Sequence, residues 1–163
     1  MTPEYVFRPM WAADLPLIRC WLELPHVRQW WGDPAEQYQL VSGDLNEPTM
    51  DQYIVEANGE AFAYLQCYDI TAWHSGFGEQ PAGTRGIDLF IGEPAMIGHG
   101  SALIACFVKD RLRNRVPRIV TDPDPANARE IRAYEKAGFA RDRLVTTPDG
   151  PALLMVHDQT SLS

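Results

Sequence analysis

Thr121-Asp122-Pro123-Asp124-Pro125-Ala126-Asn127-Ala128-Arg129-Glu130-Ile131-Arg132-Ala133-Tyr134-Glu135-Lys136-Ala137-Gly138-Phe139 holds the most telling local pattern in the chain. Arg118 to Thr121 predicts a strand, and Pro123 and Pro125 make a rigid loop after it. Asn127 can cap a helix whose third residue on, Glu130, completes a partial capping box. Ile131 and Tyr134 then share one apolar face at i and i+3, and Gly138 supplies a C-cap. A strand, a tight loop, a capped helix and a new strand from Phe139 make one β-α-β step.

The segments on either side show the same alternation. Ile97-Gly98-His99-Gly100-Ser101-Ala102 sits between the predicted strand Ile87–Ile91 and a helix running to about residue 114. That helix places Ile104, Val108 and Leu112 on one face, and Lys109, Arg111, Arg113 and Arg115 near its negative end. Phe139–Thr146 and Ala152–His157 predict a hairpin around Pro148-Asp149-Gly150. Tyr53–Ala57 and Glu60–Tyr68 predict another around Asn58-Gly59, a dipeptide that supplies positive φ angles. Further upstream come a short strand, Tyr5–Arg8, and a helix, Ala12–Leu24, ended by Pro25. A loop from His26 to Met50 follows, with one short helix near 35–42, and a long loop covers 71–86. The fold class is therefore α/β in the mixed α+β sense, expected as one domain over residues 1–163.

Composition narrows the function. The chain has 163 residues, 45% hydrophobic and 22% charged, with a net charge of −8. These values describe a globular chain, and the negative charge argues against a phosphate-tracking nucleic-acid surface. The longest plainly apolar run, Ala102–Val108, is far below a membrane span of about 20 residues, so no membrane association is expected. Cys20, Cys67 and Cys106 are odd in number and scattered, which fits a reduced, cytoplasmic setting. His26, His74, His99 and His157 form no metal pattern. Charge is uneven: residues 29–84 carry nine acids and no Lys or Arg, whereas residues 85–143 carry eleven basic and eight acidic side chains. That asymmetry reads either as an uneven solvated surface or as two partners of opposite charge.

The quoted stretch resembles the GNAT N-acetyltransferases, whose asparagine-to-tyrosine-to-glycine-phenylalanine pattern fits Asn127, Tyr134, Lys136, Gly138 and Phe139. The segment 97–102 is similar to the family's glycine loop, with Gly100 as first glycine and Ala102 in the final small position. Ile97 departs from it, standing where the family usually has Gln or Arg. His26-Val27-Arg28-Gln29-Trp30-Trp31-Gly32, Arg85-Gly86-Ile87-Asp88, Thr121-Asp122-Pro123 and Thr146-Thr147-Pro148-Asp149-Gly150-Pro151 resemble the aminoglycoside 6′-N-acetyltransferases, in the same order over nearly the whole chain. The resemblance implies a mostly antiparallel sheet, splayed at its middle and flanked by helices. It also implies acetyl-CoA as cosubstrate, no metal, and a small, polycationic primary amine as acceptor, in a monomer or homodimer.

Residue by residue, the resemblance makes Asp88 the base that accepts the amine's proton. The alternative is a strand-end carboxylate that only accepts a hydrogen bond. Tyr134 would serve the leaving thiolate, or be a core tyrosine, or both. Cofactor contacts would come from Leu89, Phe90, Ile91, Ile97, Gly98, His99, Gly100, Ser101, Ala102, Asn127 and Tyr134. Free amides at a helix start suit a pyrophosphate, and Asn127 is equally placed as a plain N-cap. Trp30, Trp31, Asp69, Asp88 and Asp122 would face the acceptor, since aromatic faces suit both sugars and ammonium groups. Asp122, before a proline, also reads as a turn residue. Two other functions remain open: acylation of a siderophore precursor or another small amine, and a catalytically silent acyl-CoA-binding module.

Overall fold

The computed structural model describes residues 4–73, 76–113 and 115–159. The elements in chain order are β1 (Tyr5–Pro9), α1 (Leu15–Glu23), α2 (Pro25–Trp31), α3 (Pro34–Gly43), β2 (Met50–Ala57), β3 (Glu60–Asp69), β4 (Arg85–Ile91), α4 (Gly100–Phe107), β5 (Arg118–Thr121), α5 (Ala128–Lys136), β6 (Ala140–Thr147) and β7 (Gly150–Asp158). The seven strands form one sheet in the order β1-β2-β3-β4-β5-β7-β6. β1–β2, β5–β7 and β6–β7 pair antiparallel, and β4–β5 pair in parallel. The mixed α/β architecture and mostly antiparallel sheet expected from the sequence are present.

The chain forms two compact units, residues 1–67 with 89–97, and residues 68–88 with 98–163. In the first, α1, α2 and α3 bury Ile18, Trp21, Leu22, Val27 and Val41 with Ile54, Tyr64 and Phe90 from the strands. The hairpin turn has Asn58 at φ 54° and Gly59 at φ 80°, the two positive angles such a turn needs. At the end of β4 the amides of Gly92 and Glu93 both donate to Phe62 O (2.8 and 3.1 Å). There the Trp21 indole lies directly on the Gly92 backbone, where a Cβ would collide with the ring. Gly92→Ala is therefore expected to cost about 1–3 kcal/mol through overpacking, read as a lower urea midpoint with an unchanged slope.

Two expectations change. The segment after Pro25 is not a loop: Pro25 occupies the first helical position of α2, so Trp30 and Trp31 lie on a helix. Proline at that position loses no intrahelical hydrogen bond, so it begins a helix as readily as it ends one. The helix beginning at Gly100 is α-helical only to Phe107 and continues as a π-helical turn over Val108–Leu112; residue 114 lies outside the described residues.

In the second unit α4 packs against α5, and α5 buries Ile131 and Tyr134 as the i, i+3 spacing required. Asn127 caps it: its Oδ1 accepts from Glu130 N–H (3.3 Å), and its Nδ2 donates to Glu130 Oε2 (3.0 Å).

Candidate active site

Strand register builds the site. β4 and β5 share two rungs, Arg85↔Ile119 and Gly86↔Val120. In a parallel pair the same offset continues, so Asp88 and Asp122, each two residues beyond the last rung, fall side by side. The spacing between neighbouring strands is about 4.8 Å. The Thr121 hydroxyl donates to Ile87 O (3.0 Å) and pins the two chains just before the carboxylates.

The carboxylates are hydrogen-bonded to each other, and Asp122 is pushed up to about 9 by burial first and by the adjacent Asp88 charge second. Two carboxylates this close hold one proton between them at neutral pH. Tyr68, at the end of β3, is hydrogen-bonded to Asp88, and burial holds its phenol protonated. From the first turn of α5, burial and the charges of Asp88 and Asp124 raise Glu130 to about 8. Tyr134 is fully buried. Its Oη has no hydrogen-bond partner among the described residues. Burial, then the charges of Glu130 and Asp88, hold it well above the ordinary tyrosine range, which the nearby Thr121 hydroxyl offsets in part.

Asp122 and Glu130 bind protons in the folded state that they release in the unfolded one between pH ~4 and their raised values. The protein is expected to lose stability as pH rises from about 5 through 9. Asp122→Asn should flatten that slope and raise the melting temperature at pH 8 by a few degrees (about 2–4 °C per kcal/mol at this size). Thermal melts across that range check it.

The remaining candidates are spread over other elements. Gly98, at φ 110°, turns the chain into α4, and its missing Cβ faces open space. His99 is the N-cap residue, and no side chain caps the helix. The first backbone bond into it is Leu103 N–H to His99 O (3.0 Å). The amides of Gly100, Ser101 and Ala102 precede that bond, and with the unpartnered Tyr134 hydroxyl they are the groups that fit an anionic thioester ligand. Ile97 ends the short 3-10 turn Pro94–Met96. Leu89 and Phe90 are buried, and Ile91 O contacts His26 Nε2 (2.8 Å). Asn127 is the α5 cap. Asp69 spends its carboxylate on a turn, accepting from Thr71 N–H (3.0 Å) and Thr71 Oγ1 (2.7 Å); strand alternation puts it on the face opposite Tyr68. Trp31 packs edge-on against Phe90 (5.0 Å) and Tyr64 (6.2 Å), whereas Trp30 is 37% exposed.

The structure thus brings together Asp88, Asp122 and Tyr134, and adds Tyr68 and Glu130, which the sequence reading did not place in the site. Glu130 was legible only as a capping residue, and Tyr68 only as the end of a strand. Among the described residues no group of three or more His, Cys, Asp or Glu could hold a metal ion, and no helix is long and apolar enough to cross a membrane.

A family model described as an acetyltransferase (GNAT) domain matches residues 11–147. An aminoglycoside N(6′)-acetyltransferase type 1 from Klebsiella pneumoniae is 37% identical over 164 residues, covering 92% of this chain and 81% of that protein. The structure of AAC(6′)-Ib in complex with paromomycin and acetyl-CoA superimposes with a TM-score of 0.84 at 34% identity, covering 98% of each chain. The same enzyme with coenzyme A and kanamycin gives a TM-score of 0.83 at 36% identity, over 96% of this chain and 95% of that one.

Proposed function

Since the chain belongs to the GNAT acetyltransferase family, we propose that it transfers acetyl from acetyl-CoA to a primary amine of an aminoglycoside-like polycation, by direct attack in a ternary complex. The observation that carries this reading is the half-buried, hydrogen-bonded Asp88–Asp122 pair, joined by Tyr68. A paired acid site of this kind binds ammonium groups and then accepts the proton that an amine must lose before it attacks. The 37%-identical aminoglycoside N(6′)-acetyltransferase supports the acceptor class.

Acetyl-CoA supplies the activated acetyl group. The amides of Gly98 to Ala102 and the α4 N-terminus would hold its phosphates. Leu89, Phe90, Ile91, Ile97 and Asn127 are the further contacts assigned to it. Asp88 takes the proton of the acceptor amine, and Asp122 holds an ammonium. The Trp30 face, with what remains exposed of Trp31, offers an aromatic surface to the acceptor. The Tyr134 hydroxyl, kept protonated, donates a hydrogen bond to the departing thiolate. The chemistry is cytoplasmic and needs neither metal nor nucleic acid.

An acceptor panel read by free-thiol release tests the reading. Turnover is expected with kanamycin-like amines, and the acceptor KM should rise with salt because a polycation meets an acidic surface. Turnover confined to siderophore-type hydroxylamines, or tight coenzyme A binding with no turnover on any amine, would replace it with one of the two alternatives.

A further inference from the structure

We propose that Tyr68 is a positioning residue for Asp88. Its hydroxyl donates to the Asp88 carboxylate and fixes the pair's shared proton on Asp122. It reaches Asp88 only because residue 86 is glycine. This rests on the reading of Asp88 as the base.

The geometry is specific. Gly86 and Asp88 point to the same face of β4. A Cβ at residue 86 would lie 2.5 Å from Tyr68 Cζ, 2.6 Å from Cε2 and 2.8 Å from Oη. The phenol therefore lies across the Gly86 backbone with its hydroxyl end leading toward Asp88, to which it is hydrogen-bonded. Gly86 does not adopt a positive φ, so what glycine supplies there is room, not backbone freedom. Trp73 holds the ring from another side, tilted 65° at 6.0 Å, and Tyr68 is almost wholly buried.

Burial keeps the Tyr68 O–H protonated, so it donates to Asp88. A donor on Asp88 favours its anionic form, which makes Asp88 the ready base and leaves Asp122 to hold the proton the pair shares. The groups facing this arrangement are Tyr68 from β3, Asp122 after β5, and Glu130 and Tyr134 from α5. Asp149 acts on Asp122, and Asp124 acts on Glu130.

The test is the pH profile of acetyl transfer to kanamycin. In Tyr68→Phe the acid limb of kcat/KM should move up by about one pH unit, a roughly tenfold loss on that limb with the high-pH plateau within about threefold of wild type. Gly86→Ala should show the same signature by displacing the ring. The double variant should be no worse than the more severe single, because both remove one contact. Replacing Tyr68 by a fluorinated tyrosine keeps the shape, makes the hydroxyl a stronger donor, and should move the limb the other way. It decides the question even if Tyr68→Phe does not fold. Carbon-13 carboxyl NMR of Asp88 reads the same contact without turnover, and its titration midpoint should rise in Tyr68→Phe. A loss uniform across pH, or an unmoved Asp88 midpoint, overturns the role of Tyr68. A moved midpoint with an unmoved pH profile supports the Tyr68–Asp88 contact and overturns Asp88 as the base.

Discussion

Asp88→Asn is expected to lower kcat/KM for a kanamycin-like acceptor by about 10²- to 10⁴-fold, the usual range for removing a general base, while coenzyme A affinity by calorimetry stays within about twofold. Asparagine has nearly the shape of aspartate and still offers Tyr68 an oxygen to donate to, so local packing is preserved. What disappears is the one acceptor for the amine's proton. Asp122 is the obvious substitute, and the causes of its raised pKa say why it fails. Burial is the largest, the Asp88 charge only the second. Removing Asp88 leaves the larger cause in place, so Asp122 stays above the ordinary carboxylate range and is a poor acceptor at neutral pH. Partial recovery is expected as pH rises and Asp122 ionises. A loss under tenfold at pH 7.5 would move the base elsewhere, with Glu130 the next carboxylate to test.

Which parts were legible in the sequence follows from how local their physics is. α5 was expected from Asn127 to Ala137 and runs from Ala128 to Lys136 behind an Asn127 cap. Its start and stop are written in side chains within four residues of each end. The Asn58-Gly59 hairpin is equally local. α2 was missed because Pro25 both stops α1 and opens the next helix, and only Val27 of its seven residues is buried, too little to show a period. The site was legible in a different way. Nothing within ten residues of Asp88 points to Asp122; a parallel register between chain segments more than thirty residues apart brings them together. Only the family resemblance linked them. Tyr68 escaped both routes, since its role depends on the space left at Gly86, and a glycine inside a strand does not say what fills the place of its side chain.

The raised carboxyl of Asp122 has a measurable consequence for acceptor binding. Its carboxyl is raised to about 9, so below that pH the unliganded site holds a proton that a bound ammonium must displace. The direction is fixed: the acceptor binds the ionised pair, hence binding releases a proton and strengthens as pH rises. Between pH 7 and 9 the acceptor dissociation constant should fall by up to tenfold per pH unit, the limit for loss of one proton. Asp122→Asn should remove this dependence. The acceptor's own amines also titrate in this range, but identically against either protein, so the difference between wild type and variant isolates Asp122. Calorimetry of kanamycin binding in two buffers of different ionisation enthalpy should show close to one more proton released by wild type than by Asp122→Asn at pH 7.5. At pH 8.5 the variant should bind at least tenfold more weakly, since it replaces one partner of a half-buried charge contact. Equal proton release by the two proteins would mean that Asp122 keeps its proton when the acceptor binds. Its part would then be to hold Asp88 in the ionised state, with the ammonium carried by Asp88 alone.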